Sequence, residues 1–487
     1  MYPRDGHGTP YYFYPGASLS WLFSEALKDK EGFDFLSFGK LRMSYAVTGK
    51  GAESWLTGRG NYKYIGNYTF IDETIARYGF DGSQMVDFNL KNENTYEFEL
   101  GADVRFLDNR LGIDVAYYKK NSKNQILPFS IPVEAGMSSL VVNSGNLQNQ
   151  GVELLLTANP IRSKDFNWDF TINFTRNKNK VISLAPGVTG YNLDQAFGAD
   201  MYSVAMPGKE FGTIVTGYAY ATYQAKDASG APVAHANNGQ KVLKQNGSYF
   251  RSVDYGQGQK ELGTMMEKFM ASTSQTLRYK NFNLGVQVDA KIGGKMASAT
   301  HQYGSNGGTL ASTLFGRSKE FGGLTRRTFD ATGNVTGTFD DGIIPEGVFD
   351  NGINIKAPNG TTYDVSGMSY ADAVKQGIVE PVSARIYYAR LTQWSTGIRE
   401  YSTFENSWVA VREVSLGYTM PAKTASMMKL NSLRVSLIGR NLGYLYNTTK
   451  DGINPEAGFL SNRAGTFAEY GGMPYIRNLG FKIDASF

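Results

Sequence analysis

The sequence predicts an all-β protein, an antiparallel transmembrane β-barrel. Three observations carry that prediction. Segments alternating apolar and polar residues recur along nearly the whole chain, short and long connections follow one another in turn, and the composition is rich in glycine and aromatic residues.

The last stretch, Met473 to Phe487, shows the pattern most plainly. Read as a strand, one face carries Tyr475, Arg477, Leu479, Phe481, Ile483, Ala485 and Phe487. The other carries Asn478, Gly480, Lys482, Asp484 and Ser486. Period-two alternation sets one face against something apolar and the other against water. Lipid outside and a wet lumen inside satisfy both faces at once.

From the start of the chain, Pro15 to Phe23 sets Ala17, Leu19 and Trp21 opposite Gly16, Ser18 and Ser20. Lys40 to Thr48 sets Leu41, Met43, Tyr45 and Val47 opposite Arg42 and Ser44. A hairpin follows, in which Phe98, Leu100, Ala102, Val104 and Phe106 oppose Glu97, Glu99, Asp103 and Arg105. It turns at Leu107-Asp108-Asn109 and returns through Leu111, Ile113, Val115 and Tyr117. Later strands carry Val152, Leu154 and Leu156; every second residue of Phe166–Phe174; and every second residue of Phe282–Ile292. Two more carry Val414, Leu416 and Tyr418, and Leu433, Val435 and Leu437. Weaker alternation marks 199–206, 211–223 and 270–279.

The joins are unequal. Short ones are Glu25–Gly39, Leu107–Asn109, Asn159–Asp165, Pro207–Glu210, Lys280–Asn281 and Pro421–Asn431. Long ones are Gly49–Glu93, Lys123–Asn146, Asn179–Gly198, Gln224–Phe269, Ala297–Asn406 and Gly443–Gly472. Tight periplasmic turns alternating with extended outer loops are the mark of a membrane barrel, whereas a compact soluble domain avoids long loops. Counting gives about thirteen strands, the first and last both running inward. An odd count predicts that part of the barrel lies outside this chain, since such barrels close on an even number.

Composition bounds the function. The 487 residues include 56 Gly, 31 Tyr and 29 Phe but no Cys, which excludes disulfide frameworks and thiolate metal sites. A net charge of +5 without any Lys/Arg run does not favour nucleic acid. No apolar run reaches the length of a membrane-spanning helix, and the opening MYPRDGHGTPYY is unlike a signal peptide.

No catalytic constellation stands out. His7, His235 and His301 lie far apart in expected loops and read as surface residues. Asp330, Asp340, Asp341, Glu346 and Asp350 cluster in the longest loop, without EF-hand spacing, and read as turn formers rather than a calcium site. The same loop holds the candidate ligand-binding residues Tyr387, Tyr388, Arg390, Trp394, Arg399 and Tyr401. Aromatic faces stack on sugar rings, and Arg and Tyr anchor hydroxyl or carboxylate groups. Packing of the long loops against one another explains the same residues without a ligand.

Several motifs, in order along almost the entire chain, resemble those of SusC/RagA-type TonB-dependent outer-membrane transporters. They are RDG at Arg4–Gly6 with YPGASLSW (Tyr14–Trp21), KLRMSYAVTGK (Lys40–Lys50) and NSGNLQNQGVELLL (Asn143–Leu156). FNWDFTINFTRNKNKV (Phe166–Val181), WVAVREVSLGYTMP (Trp408–Pro421) and IGRNLGYLYNTTKDGINPEA (Ile438–Ala457) complete the series. Ala46, Lys50 and Asn454 depart mildly from the pattern.

The resemblance implies that residues 1–487 form the C-terminal part of a barrel of about 22 strands. Signal peptide, N-terminal extension, plug and early strands are expected to lie outside it. It further implies TonB-dependent import of a large nutrient, an oligosaccharide or oligopeptide, across the outer membrane of a Bacteroidetes-like Gram-negative cell. A SusD-like surface lipoprotein would dock on loops Gly49–Glu93, Gln224–Phe269 and Ala297–Asn406, and TonB would act only through the plug. No cofactor or catalysis is implied. A passive porin or structural barrel piece would satisfy the alternation equally. A barrel-borne adhesin or enzyme would place a folded domain within Ala297–Asn406.

Overall fold

The computed structural model describes residues 13–28, 30–51, 62–70, 73–80, 84–87, 90–132, 139–458 and 465–487. Eleven strands form one continuous sheet in chain order. They are β1 (Gly16–Trp21), β2 (Leu36–Lys50), β3 (Glu93–Phe106), β4 (Leu111–Lys123), β5 (Asn146–Arg162) and β6 (Phe166–Ser183). The wall continues with β7 (Phe269–Tyr279), β8 (Phe282–Ile292), β9 (Trp408–Thr419), β10 (Ser432–Asn447) and β11 (Asn478–Ser486). Every neighbouring pair is antiparallel.

The wall therefore has two fewer strands than the sequence count. Met201–Ala205 and Thr213–Thr216 join Tyr191–Ala196 and Lys260–Thr264 in a separate four-stranded sheet. Their alternation misleads because both faces are covered: Met201, Ser203, Ile214 and Thr216 are fully buried on one face, and Val204 and Val215 are buried on the other. Pro207–Glu210 is then a link inside one long loop, not a periplasmic turn. Merging that loop into 184–268 preserves the short–long alternation and leaves the count odd. The Leu107–Asn109 turn holds three consecutive residues at φ 54°, 54° and 61°, a left-handed bend that matches the twist of the flanking strands.

Register keeps one row of side chains outward on every wall strand. Leu437, Leu479 and Phe481 are 63%, 83% and 74% exposed. Leaving such a side chain in water forfeits about 1.5–3 kcal/mol each, a penalty that hydrocarbon outside the wall removes. Aromatic pairs Phe35–Phe106, Phe166–Tyr279 and Phe282–Tyr418 gather at the short-turn end, with centroids 6.0, 6.5 and 4.8 Å apart. That is where an interfacial aromatic belt belongs. The final strand is shorter than its alternation, because Tyr475 leaves it to pack on Tyr444, with centroids 4.5 Å apart. Among the described residues, β1 pairs only with β2 and β11 only with β10, so the sheet has two open edges.

The two longest connections, 184–268 and 293–407, fold together. Leu243 and Tyr249 of the first share one core with Phe349, Ile355, Val365, Tyr370, Ile378, Leu391 and Ile398 of the second. Val242–Leu243 pairs in parallel with Val348–Phe349. The self-contained domain that an adhesin or enzyme reading would place within Ala297–Asn406 is absent among the described residues: that stretch is half of a lobe shared by both loops. Among the described residues no helix is long and apolar enough to cross a membrane.

Candidate functional site

The register fixes which side chains face the lumen. One row runs Arg42, Gly101, Ala116, Glu153, Thr175, Met270, Lys291 and Trp408 across β2 to β9. The next runs Lys40, Asp103, Asp114, Leu155, Asn173, Ser272, Asp289 and Ala410. Glycines in this face make room for long polar neighbours. A Cβ on Gly101 would lie 2.5 Å from Arg42 Nε, so the guanidinium lies flat over that position. From there it reaches Asp114 at 2.7 Å and Glu99 at 3.4 Å. Gly151 likewise accommodates the Tyr118 ring, whose hydroxyl donates to Asn177 at 3.2 Å. The inner face holds a concavity of about 610 Å³ lined by Arg42, Asp114, Glu153, Gln287, Asp289 and Trp408, among others.

The most heavily bonded lumen group is Arg412. Register shifts on β9, between Gln287 and Val288 of its partner and beside Val411/Glu413, turn its side chain inward. Arg412 Nε donates to Asp289 at 2.8 Å, while Nη1 and Nη2 donate to the two oxygens of Glu456 at 2.8 and 2.5 Å. Its guanidinium lies 4.7 Å from the Trp408 ring centroid, and the Tyr444 hydroxyl donates to Glu456 at 3.0 Å. Glu456 belongs to the last connection, 448–477, so this fork ties that connection to the inner wall. Two of the sequence motifs, WVAVRE and NPEA, thus meet through Arg412 and Glu456.

Higher up, the helix Ala299–Gly307 is held by the same connection. Buried Glu469 accepts from the Ser298 hydroxyl, from Thr300 Oγ1 at 2.8 Å and from Thr300 N at 3.3 Å, at the positive end of that helix. His301 is fully buried, with Nδ1 3.0 Å from Ser402 Oγ and Nε2 3.5 Å from Asp451. Burial pulls its pKa down to about 4 against the opposing pull of Asp451. The surface reading of His301 was therefore wrong: the helix turns it into the joint between two loops. His235 is exposed, and His7 lies outside the described residues, as does Arg4–Gly6.

The six candidate ligand residues do not form one open site. Arg399 is fully buried, bound to Asp200 through Nε at 3.2 Å and Nη2 at 2.8 Å, and it donates to the Trp394 carbonyl. The Phe197, Tyr218 and Trp394 rings surround it at 5.1, 5.4 and 5.1 Å. Tyr388 is buried and donates to the carbonyls of Ser312 and Phe315; burial pushes its hydroxyl up to about 12. Burial, and then Tyr249, pushes Tyr387 well above the ordinary range, and burial raises Tyr401. Arg390 donates to the Asn246 carbonyl at 2.7 Å. Trp394 is half-exposed, stacked on Tyr303 with centroids 5.4 Å apart.

The loop carboxylates all have protein partners. Asp341 binds Arg326 at 2.5 Å, Glu346 binds Lys241 at 2.6 Å, and Asp340 and Asp350 accept from Thr325 and Tyr255. Asp330 closes a turn on Thr332 and Asn334, and those bonds lower its pKa to about 2. Among the described residues no group of three or more His, Cys, Asp or Glu is placed to hold a metal.

An antiparallel wall with an apolar outer face, a charged inner face and loops folded over one end defines an outer-membrane β-barrel. The family model for the TonB dependent receptor-like β-barrel matches residues 3–204. TonB-dependent receptor P3 of Formosa agariphila is 25% identical over 509 aligned positions, covering 99% of this chain and 43% of that protein. SusC of Bacteroides thetaiotaomicron is 27% identical over 296, covering 57% of this chain and 27% of its own length. The RagAB peptide importer in its open-open state matches in fold, with TM-score 0.60 and 16% identity over 97% of this chain and 42% of that one. The chain thus resembles the SusC/RagA-type TonB-dependent receptors along nearly its whole length. It spans less than half the length of these relatives, which are receptors rather than enzymes.

Proposed function

We propose that this chain forms the lumen wall and extracellular mouth of an outer-membrane importer for a large nutrient, an oligosaccharide or an oligopeptide. The observation that carries the reading is the joint folding of 184–268 and 293–407 into one lobe beside a charged lumen. Independent porin loops have no need of a shared core pinned by a buried Arg399. A rigid lobe at the mouth suits a receptor that must present one surface to a partner. On it Leu314, Phe315, Phe321 and Leu324 stay 39–58% exposed, an apolar group suited to a SusD-like surface lipoprotein.

The two open edges of the wall are closed by additional strands, since unpaired backbone groups cannot face hydrocarbon. Coupling to TonB runs through a plug in that remaining part of the receptor. Uptake of labelled oligosaccharide and oligopeptide pools by cells carrying the full receptor tests the proposal. Uptake that stops when TonB is deleted or the proton-motive force collapses supports import. Uptake that persists marks a passive pore.

A further inference from the structure

Between the inner wall and the last connection lies a second cavity, of about 270 Å³. Lys291 of β8, Lys295, Asn406, Trp408 of β9 and Glu456 line it. Neither lysine has a hydrogen bond or an ion pair within 4 Å among the described residues. Trp408 is 8% exposed, and its Nε1–H has no partner. The Arg412 guanidinium stacked on Trp408 fixes the plane of the indole, and hence the direction of that N–H. Two lysines and an indole with an unsatisfied donor thus line one space between the wall and the last connection.

Glu267 and Glu456 attract Lys291 across space, yet neither forms an ion pair with it. Glu456 is already engaged by both terminal nitrogens of Arg412 and by Tyr444. Glu267 and Glu405 line an adjoining cavity with Lys268 and Lys295, beyond ion-pair distance of either lysine. A lysine held in a partly desolvated space without a direct ion-pair partner is costly, and the cost falls when an anion enters. Lysine binds such a group as a point charge, which asks little of its shape.

We propose that this cavity is an oxyanion subsite at the mouth of the lumen, taking a carboxylate of the imported ligand. The inference rests on the import reading and narrows it to acidic ligands. An acidic sugar and an acidic peptide present the same group, so both are tested. Binding of trigalacturonate and triglutamate to the full receptor in detergent is measured by calorimetry, against maltotriose and trialanine. The expected result is an affinity for at least one acidic probe about tenfold or more above its neutral counterpart, the scale of one charge-assisted contact. The Lys291→Gln/Lys295→Gln variant loses that preference, and Lys295→Arg keeps it.

Lys295→Gln alone, which leaves the wall strand untouched, loses part of the preference and guards against misfolding of the double variant. Whichever acidic probe shows the preference identifies the source. Equal affinity for acidic and neutral probes, or an unchanged preference in the lysine variants, overturns the subsite. Uptake that stays TonB-dependent without any acidic preference would sink the subsite and leave import standing. Lysine-dependent binding with TonB-independent uptake would do the reverse.

Discussion

Replacing Glu456 by alanine tests whether the last connection is held to the lumen wall by Arg412. The change removes two charge-assisted hydrogen bonds from Arg412 and one from Tyr444. Buried bonds of this kind contribute about 1.5–3 kcal/mol each. Here the carboxylate is 30% exposed and the guanidinium keeps Asp289, so the expected loss is about 2 kcal/mol in all. That corresponds to roughly a 30-fold rise in the open population of the connection. Hydrogen exchange on residues 448–458 of the full receptor reads it directly.

Arg412→Met should do more, about 3 kcal/mol or above, because it strands Asp289 as well as Glu456. Asp289 Oδ1 is already buried without a partner, so this carboxylate has little to fall back on. The double variant Arg412→Met/Glu456→Ala should open the connection less than the two single losses combined, since both remove the same bonds. Unchanged exchange in Glu456→Ala, or strict additivity of the pair, would refute the fork as the tether.

Three further outcomes are expected. His301 has a folded pKa of about 4 against an ordinary value of 6.5, so its neutral form belongs to the packed loops. Their packing should weaken as pH falls from about 6.5 towards 4, by up to about 3 kcal/mol. Exchange on 299–307 should steepen over that window and lose the dependence in His301→Gln. Glu469→Gln should cost about 1–2 kcal/mol by removing the negative charge from the helix start, read as faster exchange in Ala299–Gly307 at constant pH. Gly101→Leu should displace Arg42 from Asp114 and lower the thermal midpoint of the barrel by the equivalent of about 1–3 kcal/mol, followed by heat-dependent migration on gels.

What the sequence could show follows from where the constraint lay. Wall strands must alternate, because one face meets lipid and the other meets water, so the hairpin from Tyr96 to Tyr117 was legible residue by residue. The same rule failed at Met201–Ala205 and Thr213–Thr216, where a small sheet inside a loop alternates by chance of composition while both faces are buried. Period two reports the residues of a strand and not the solvent on either side of it. Arg399, Tyr387 and Tyr388 read as binding groups in sequence because aromatics beside arginine suit ligands. The same pairing suits a buried joint between loops, and burial is invisible in a local window. Arg412 and Glu456 are 44 residues apart, and nothing in either motif says that they touch. Only a register shift on β9 and the path of a 30-residue connection bring them together, both properties of three-dimensional closure rather than of pattern. The lumen chemistry of this wall therefore depends on irregularities in its strands, and the bulged Arg412 is where its loop tether forms.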